Sequence, residues 1–157
     1  MQKFDSAKFS GKWYEIEKSF EFSDIGSSCV RWEIKNGEEG VYSAVGKGVG
    51  LLGNQLKVTG TLKTPNASEP GKMRMHYDGL PYVENYWVVN TDYDQFAITL
   101  SCLELIPNLV FRDVLTILSR KPSMDATLKS QIYDFLISNN INQYDLFLID
   151  QEDCSIL

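Results

Sequence analysis

One histidine, three cysteines and two closely spaced aspartates are the residues of this chain with the most obvious chemical potential. Nucleophilic catalysis needs a base placed beside its nucleophile. His76 instead stands in the alternating run Lys72-Met73-Arg74-Met75-His76-Tyr77, on its polar side, and no Ser or Cys partner is implied. It is read as a solvated residue. Asp92 and Asp94 fall in the turn-like Thr91-Asp92-Tyr93-Asp94, where turn formation accounts for them. Cys29, Cys102 and Cys154 make no Cys-x-x-Cys or Cys/His cluster, so neither zinc nor any other metal site is indicated. No catalytic residue is assigned, and the expectation is a protein that is not an enzyme. The odd cysteine count leaves two readings. Buried thiols in a reducing cell are favoured by the count alone; the other is one disulfide plus a cysteine whose partner lies outside this sequence.

The elements that would carry these residues are short and extended. The chain has 157 residues, 43% hydrophobic, 23% charged and 12% aromatic, a globular composition of one-domain size. Its net charge of −6, with 15 scattered Lys and Arg, argues against a nucleic-acid partner. No apolar run approaches the ~20 residues of a membrane-spanning helix. The opening Met1-Gln2-Lys3-Phe4-Asp5 has no apolar stretch of a signal peptide, which leaves a cytosolic protein or a mature form with an added Met. Gly11–Phe20, Cys29–Lys35, Val41–Val49, Gln55–Lys63, Lys72–Asp78, Tyr86–Thr91, Phe96–Leu103 and Arg112–Ser119 read as eight strands, and Asn36-Gly37 reads as a tight hairpin turn. With no intervening helix, they imply an antiparallel barrel or sandwich.

Period-two alternation gives the strands a dry face: Val30, Trp32 and Ile34; Leu56, Val58, Gly60 and Leu62; Met73, Met75 and Tyr77. These faces form either a packed core or the wall of a cavity. Ala44, Gly46, Gly48 and Gly60 leave space, and Met73 and Met75 supply an adaptable, polarisable wall. After Pro122 the period changes. Ser123 is the expected N-cap, and Met124, Leu128, Ile132, Phe135 and Leu136 form the stripe of a four-turn helix ending at Ser138-Asn139-Asn140. Leu115 and Ile117 make the last barrel strand a candidate floor for it. A short strand, Leu146–Ile149, comes last.

Three motifs in order now carry weight together: Gly11-Lys12-Trp13 opening the first strand, Thr91-Asp92-Tyr93 between the sixth and seventh, and Arg120 ending the eighth. The set resembles the lipocalin family, and the likeness spans essentially the whole chain. It implies an all-β fold: an eight-stranded antiparallel up-and-down β-barrel over about 11–120, a C-terminal α-helix packed outside over about 123–139, and a tail over 140–157 with a short final strand. All of 1–157 would be one domain. In that family the Trp closes one barrel end and the Arg stacks on it. A cytosolic fatty-acid-binding relative lacks this motif set and the long helix.

Trp13-Tyr14-Glu15-Ile16-Glu17-Lys18, Ser138-Asn139-Asn140-Ile141 and the Asp150–Cys154 tail are most similar to the group containing apolipoprotein D, bilin-binding protein and insecticyanin. That resemblance implies a Cys29–Cys154 disulfide, and for Cys102 a partner upstream of Met1 or a lost bridge. It places Asn66-Ala67-Ser68 at a glycosylated sequon, and with it implies a secreted, extracellular protein. The ligand wall it implies is Trp32, Ile34, Gly46, Val58, Met73, Met75, Tyr77, Tyr86, Val88, Thr116 and Leu118, with the two tyrosines as polar handles. No cofactor is required. The expected partner is a small apolar ligand, either a bilin such as biliverdin or a fatty acid, steroid or retinoid. The apolipoprotein D pattern has a Trp at Thr116, so a wider pocket, suited to a bulky tetrapyrrole such as biliverdin, is expected here. Two apolar loops, Val49–Gly53 and Leu103–Phe111, suit peripheral lipid or lipoprotein contact, folding over the cavity, or a homodimer interface. The rival reading is an interaction protein with a filled barrel that acts through these loops.

Overall fold

The computed structural model describes residues 4–20, 26–38, 40–106 and 110–156, with the side chains of 103–106, 110, 111 and 156 excepted. Its strands are β1 (Gly11–Ser19), β2 (Ser28–Asn36), β3 (Val41–Val49), β4 (Gln55–Lys63), β5 (Lys72–Tyr77), β6 (Val83–Thr91), β7 (Phe96–Ile106) and β8 (Val110–Ser119), followed by β9 (Leu146–Leu148). Consecutive strands pair antiparallel from β2 to β8. β1 then pairs with both β8 and β2, which closes an eight-stranded barrel with β9 added outside the ring. A short helix, α1 (Ser6–Phe9), precedes the barrel and α2 (Ala126–Ser138) follows it.

The seam at β1 depends on a bulge. Gly11–Tyr14 pair with β2, the register on β8 shifts between Glu15 and Glu17, and Glu17–Ser19 then pair with β9. An inserted residue reverses the alternation of side chains. Trp13 and Glu15 consequently face the lumen, Ile16 and Glu17 lie outside under the C-terminal elements, and Lys18 returns to the lumen opposite Thr116. Where β2 leaves β1, the tail fills the gap. Gln151 Nε2 donates to the carbonyls of Glu15 and Val30, both at 2.8 Å. The Cys29–Cys154 disulfide, with Cα atoms 5.5 Å apart, fastens the tail there.

Two hydrophobic cores result. Inside the barrel, Phe4, Phe9, Trp13, Ile34, Tyr42, Leu62, Met73, Met75, Val88 and Leu118 pack together. Outside it, Ile98, Leu115 and Ile117 meet Ile132 and Leu136 of α2, with Met124, Leu128 and Phe135 alongside. The helical stripe therefore packs as its spacing predicts, on the strand expected to receive it. Its cap does not. Asp125 rather than Ser123 is the N-cap, its carboxylate accepting from the Leu128 amide at 2.9 Å, and Ser123 stays in the preceding turn. At the other end Asn140 adopts φ +54°, and the Ile141 amide reaches back to the Leu136 carbonyl at 2.9 Å.

Other departures are local. Asn36 remains in β2 opposite Tyr42 and β3 starts at Val41, so the connection is longer than the expected two-residue hairpin, and Gly40 adopts φ +74° before the chain enters β3. β6 begins three residues before the expected Tyr86 and takes Glu84 into the wall. β7 and β8 both run into the expected Leu103–Phe111 loop, pairing Leu103 with Arg112 and Ile106 with Val110. Only 107–109 remain between them, outside the described residues. α1 has no signature in the sequence beyond its N-cap, where Asp5 accepts from the amides of Ala7 and Lys8.

Candidate functional site: the barrel lumen

The lumen is shut at one end. Trp13 is fully buried and its indole donates to the Phe9 carbonyl at 2.8 Å. Arg120 lies over the indole, its guanidinium carbon 3.6 Å from the ring centroid, and donates to the carbonyls of Tyr93, Lys12, Lys8 and Ser10 at 2.8 to 3.0 Å. A planar five-donor group suits this convergence of carbonyls, and the ring face adds a cation–π contact. Gly11 is needed here. It has φ +110°, and a Cβ would sit 3.0 Å from Arg120 Nη1. In the adjoining turn one Asp92 oxygen accepts from the amides of Asp94, Gln95 and Phe96. Burial raises the Asp92 pKa, but these amides outweigh it and hold the carboxyl below its ordinary value. Gly11, Trp13, Thr91, Asp92, Tyr93 and Arg120 thus build one base plate. α1 lies across it through Phe9, with Tyr42 donating to Ser6 Oγ.

The eleven wall residues named from the sequence are brought together on the inner face. Ile34, Met73, Met75, Val88 and Leu118 belong to the packed lower half, each 3% exposed or less. Trp32, Gly46 and Val58 border a cleft of about 120 Å³ at the open end, with Glu15, Lys18, Val30 and Leu56. β5 ends at Tyr77, opposite Gly60, so the upper part of β4 has no strand partner on that side. Leu56 and Val58 therefore point inward yet are 37% and 42% exposed. The space expected at the glycines is occupied. A Cβ on Gly46 would come within 2.8 Å of the Trp32 ring, and one on Gly60 within 2.4 Å of the His76 carbonyl oxygen. The cleft is smaller than the ~300–1,000 Å³ of typical ligand pockets. A larger guest would have to move side chains, and Met73 and Met75 are the ones suited to it.

Sequence reasoning missed the polar part of this lumen. Glu15 and Glu84 are 5% and 9% exposed. Trp32 Nε1 donates to Glu15 Oε1 at 2.8 Å, and the Tyr77 hydroxyl donates to Glu84 Oε2 at 2.8 Å. Burial pushes the Tyr77 phenol far above its ordinary pKa, and the Glu84 charge adds to that. Burial does the same to Tyr86, opposed by its hydrogen bond with Thr99. Both phenols are therefore donors at any physiological pH. Thr116 is buried opposite Thr99 and Lys18, within this polar zone. A signal for Glu15 did exist, because it is two residues from Trp13 and shares its phase. Glu84 has none, because it precedes the run from Tyr86 that marks the sixth strand in the sequence.

His76 lies outward and exposed, as its alternation indicates. Among the described residues no group of three or more His, Cys, Asp or Glu is placed to hold a metal. A larger depression of about 640 Å³ lies outside the barrel, between β8 and the segment after α2, lined by Ser19, Leu100, Asp113, Leu115 and Asn142 among others. It is a surface groove remote from the lumen.

A closed eight-stranded barrel with a Trp–Arg base, an outer helix and a tail disulfide defines a class of ligand-binding barrels. Residues 10–153 match the model of the lipocalin / cytosolic fatty-acid binding protein family, and this chain belongs to that family. It is 32% identical to apolipoprotein D of Bos taurus over 156 residues, covering 98% of this chain and 80% of the relative. Retinol-binding protein 4 of Rattus norvegicus is 33% identical over 108 residues, 64% of this chain and 54% of that protein. Insecticyanin from the tobacco hornworm Manduca sexta superposes with a TM-score of 0.82 at 24% identity, covering 98% of this chain and 84% of the other. Family and fold give the chain the role of a carrier of small apolar molecules, not of an enzyme. The disulfide belongs to an oxidising compartment and agrees with the extracellular location expected from the sequence.

Proposed function

We propose that this protein carries one elongated apolar molecule in its lumen, entering past Leu56 and Val58 and lying against Trp32, Met73, Met75, Tyr77 and Tyr86. The supporting observation is the asymmetry of the lumen. Its base is sealed by Trp13 and Arg120, while inward apolar side chains of β4 stand exposed at the other end. The candidates are a bilin such as biliverdin, a retinoid, a steroid or a fatty acid. The sequence resemblance to the bilin-binding group and the similarity to retinol-binding protein 4 put the first two at the head of a screen. Titration with biliverdin, and separately with retinol, is expected to quench tryptophan fluorescence saturably at one equivalent for the ligand that fits. Failure of every candidate to quench or to shift its own absorption would reject the carrier reading.

A second reading rests on its own observation. At the open end Leu51 and Leu52 are 71% and 91% exposed, and Leu80, Tyr82 and Val83 are 41%, 39% and 50% exposed. Such a rim suits contact with a lipid or lipoprotein surface, from which cargo could pass into the barrel. Asn66 is exposed in an Asx turn, its side-chain oxygen accepting from the Ser68 amide and hydroxyl, and we propose it as the glycan-bearing residue. Peptide-N-glycosidase treatment of protein from secretory cells would reveal the glycan as a mass shift absent in Asn66→Gln.

A further inference from the structure

The polar groups of the lumen are lopsided in a way that constrains the head group of the cargo; this rests on the carrier reading above. Glu15 on β1 and Glu84 on β6, three strands apart around the wall, both project inward and are at least nine-tenths buried. Each carboxylate is held by one donor, Trp32 or Tyr77. Their other oxygens, Glu15 Oε2 and Glu84 Oε1, have no protein donor among the described residues. A buried acceptor left without a donor is costly, and a carboxylate more so than a neutral group. Lys18 lines the cleft beside Glu15, and its charge is felt at Tyr86 together with those of Glu15 and Glu84. Met75 is the strand partner of Glu84, Tyr77 is its hydrogen-bond donor and Tyr86 follows it on the inner face, and no ion pair to Glu84 is formed among the described residues.

We infer that the lumen selects apolar molecules whose head group donates hydrogen bonds, a hydroxyl or better a protonated amine, and discriminates against those ending in a carboxylate, with Glu84 as the residue that recognises the head. An alcohol or ammonium placed beside Glu84 satisfies the open oxygen. An ammonium also gains Coulomb attraction in a low-dielectric site, and the Tyr77 and Tyr86 rings offer cation–π faces. A carboxylate in the same place meets like charge and supplies no donor. This ranks retinol-like and sterol-like cargo above fatty acids, and above bilins, which carry two propionates, unless those propionates remain in solvent at the mouth.

The test keeps one skeleton and changes only its end. Retinol, retinylamine and retinoic acid are titrated against the whole protein at pH 7.4 with tryptophan quenching as readout. The hexadecyl alcohol, amine and acid serve as competitors for whichever retinoid binds. The amine and the alcohol are expected to bind at least about tenfold tighter than the acid, the scale of one charge-assisted hydrogen bond. Glu84→Gln should collapse the amine-to-acid ratio toward one while the alcohol changes about threefold or less, since Gln still offers an acceptor. Tyr77→Phe, which frees the second Glu84 oxygen, should widen the ratio and covers the case in which Glu84→Gln fails to fold. An acid that binds as tightly as the amine in the unaltered protein overturns the inference while leaving the carrier reading intact. So does a ratio unmoved by Glu84→Gln. Absence of binding by all six compounds overturns both.

Discussion

The two ends of the barrel are made from the same pattern of inward residues and reach opposite states. At the base three polar side chains are each well matched. Arg120 meets four carbonyls and an indole face, Trp13 meets a carbonyl, and Asp92 meets three amides. Toward the mouth two buried carboxylates are half-matched, β4 has no β5 partner beyond Gly60, and leucines face water. Saturated contacts make one end rigid, and the unmatched ones leave the other ready for a guest. Stability should therefore sit at the base and recognition near the mouth, and substitutions can separate the two.

The largest effect is expected from Trp13→Ala. Removing a fully buried indole, together with the platform for Arg120, should cost about 3–5 kcal/mol in urea denaturation. A loss below about 1 kcal/mol would mean that the base is not where stability resides. Next is the tail disulfide, which closes a sequence separation of 125 residues. The paired change Cys29→Ser with Cys154→Ser should cost about 2–5 kcal/mol by the same measurement.

A smaller effect tests the outer core. Tyr133 on α2 donates to Glu17 Oε2 at 2.7 Å, and Lys129 pairs with the other oxygen of the same buried carboxylate. Burial and the Glu17 charge together push the Tyr133 phenol up to about 12. Tyr133→Phe should cost about 1 kcal/mol. It should also remove a contribution that is present below the ordinary tyrosine value near 10 and is lost as pH rises through about 12. Unchanged alkaline denaturation in the variant would exclude this role. The acid limb tests the base plate. Because the folded-state Asp92 value is depressed, its contribution is present above the unfolded value of about 3.9 and is lost as pH falls further. Asp92→Asn should flatten the fall in urea midpoint between about pH 4 and pH 2. The smallest effect on stability, within about 0.5 kcal/mol, is expected from Leu51→Ser with Leu52→Ser. That pair should nonetheless weaken binding to phosphatidylcholine vesicles in a flotation assay, and unaltered binding would remove the rim from the lipid-contact reading.

Much of this was legible in the chain, for identifiable reasons. Alternation in β4 and β5 names the inward side chains, because a strand has only two faces. The stripe from Met124 to Leu136 gives α2 and its partner strand. Gly11, Trp13, the Thr91–Tyr93 turn and Arg120 mark the base through their resemblance to the lipocalin motif set, and the contacts among them tolerate few other side chains. Glu84 was not legible, because its place in the wall depends on β6 pairing with β5 across Met75, a long-range contact with no local signature. The outward turn of Glu17 depends on a bulge that no residue type announces. The extension of β7 and β8 through an apolar stretch read as loop is likewise a pairing effect, since an extended partner supplies the backbone hydrogen bonds that a loop would leave to water.

The sequence by itself determined eight antiparallel strands, the outer helix and most of the apolar side chains that face inward, because periodicity is a property of the chain read locally, while the closed barrel and its sealed base followed from the family resemblance of a few motif residues. Tertiary structure alone decided the character of the chamber. Only closure of β1 on β2 and β8 brings Glu15, Lys18, Tyr77 and Glu84 around one lumen. Only packing reveals that Trp32 fills the space Gly46 leaves. Charge balance and free volume in a cavity are sums over residues distant in sequence, and they exist only once the chain has closed.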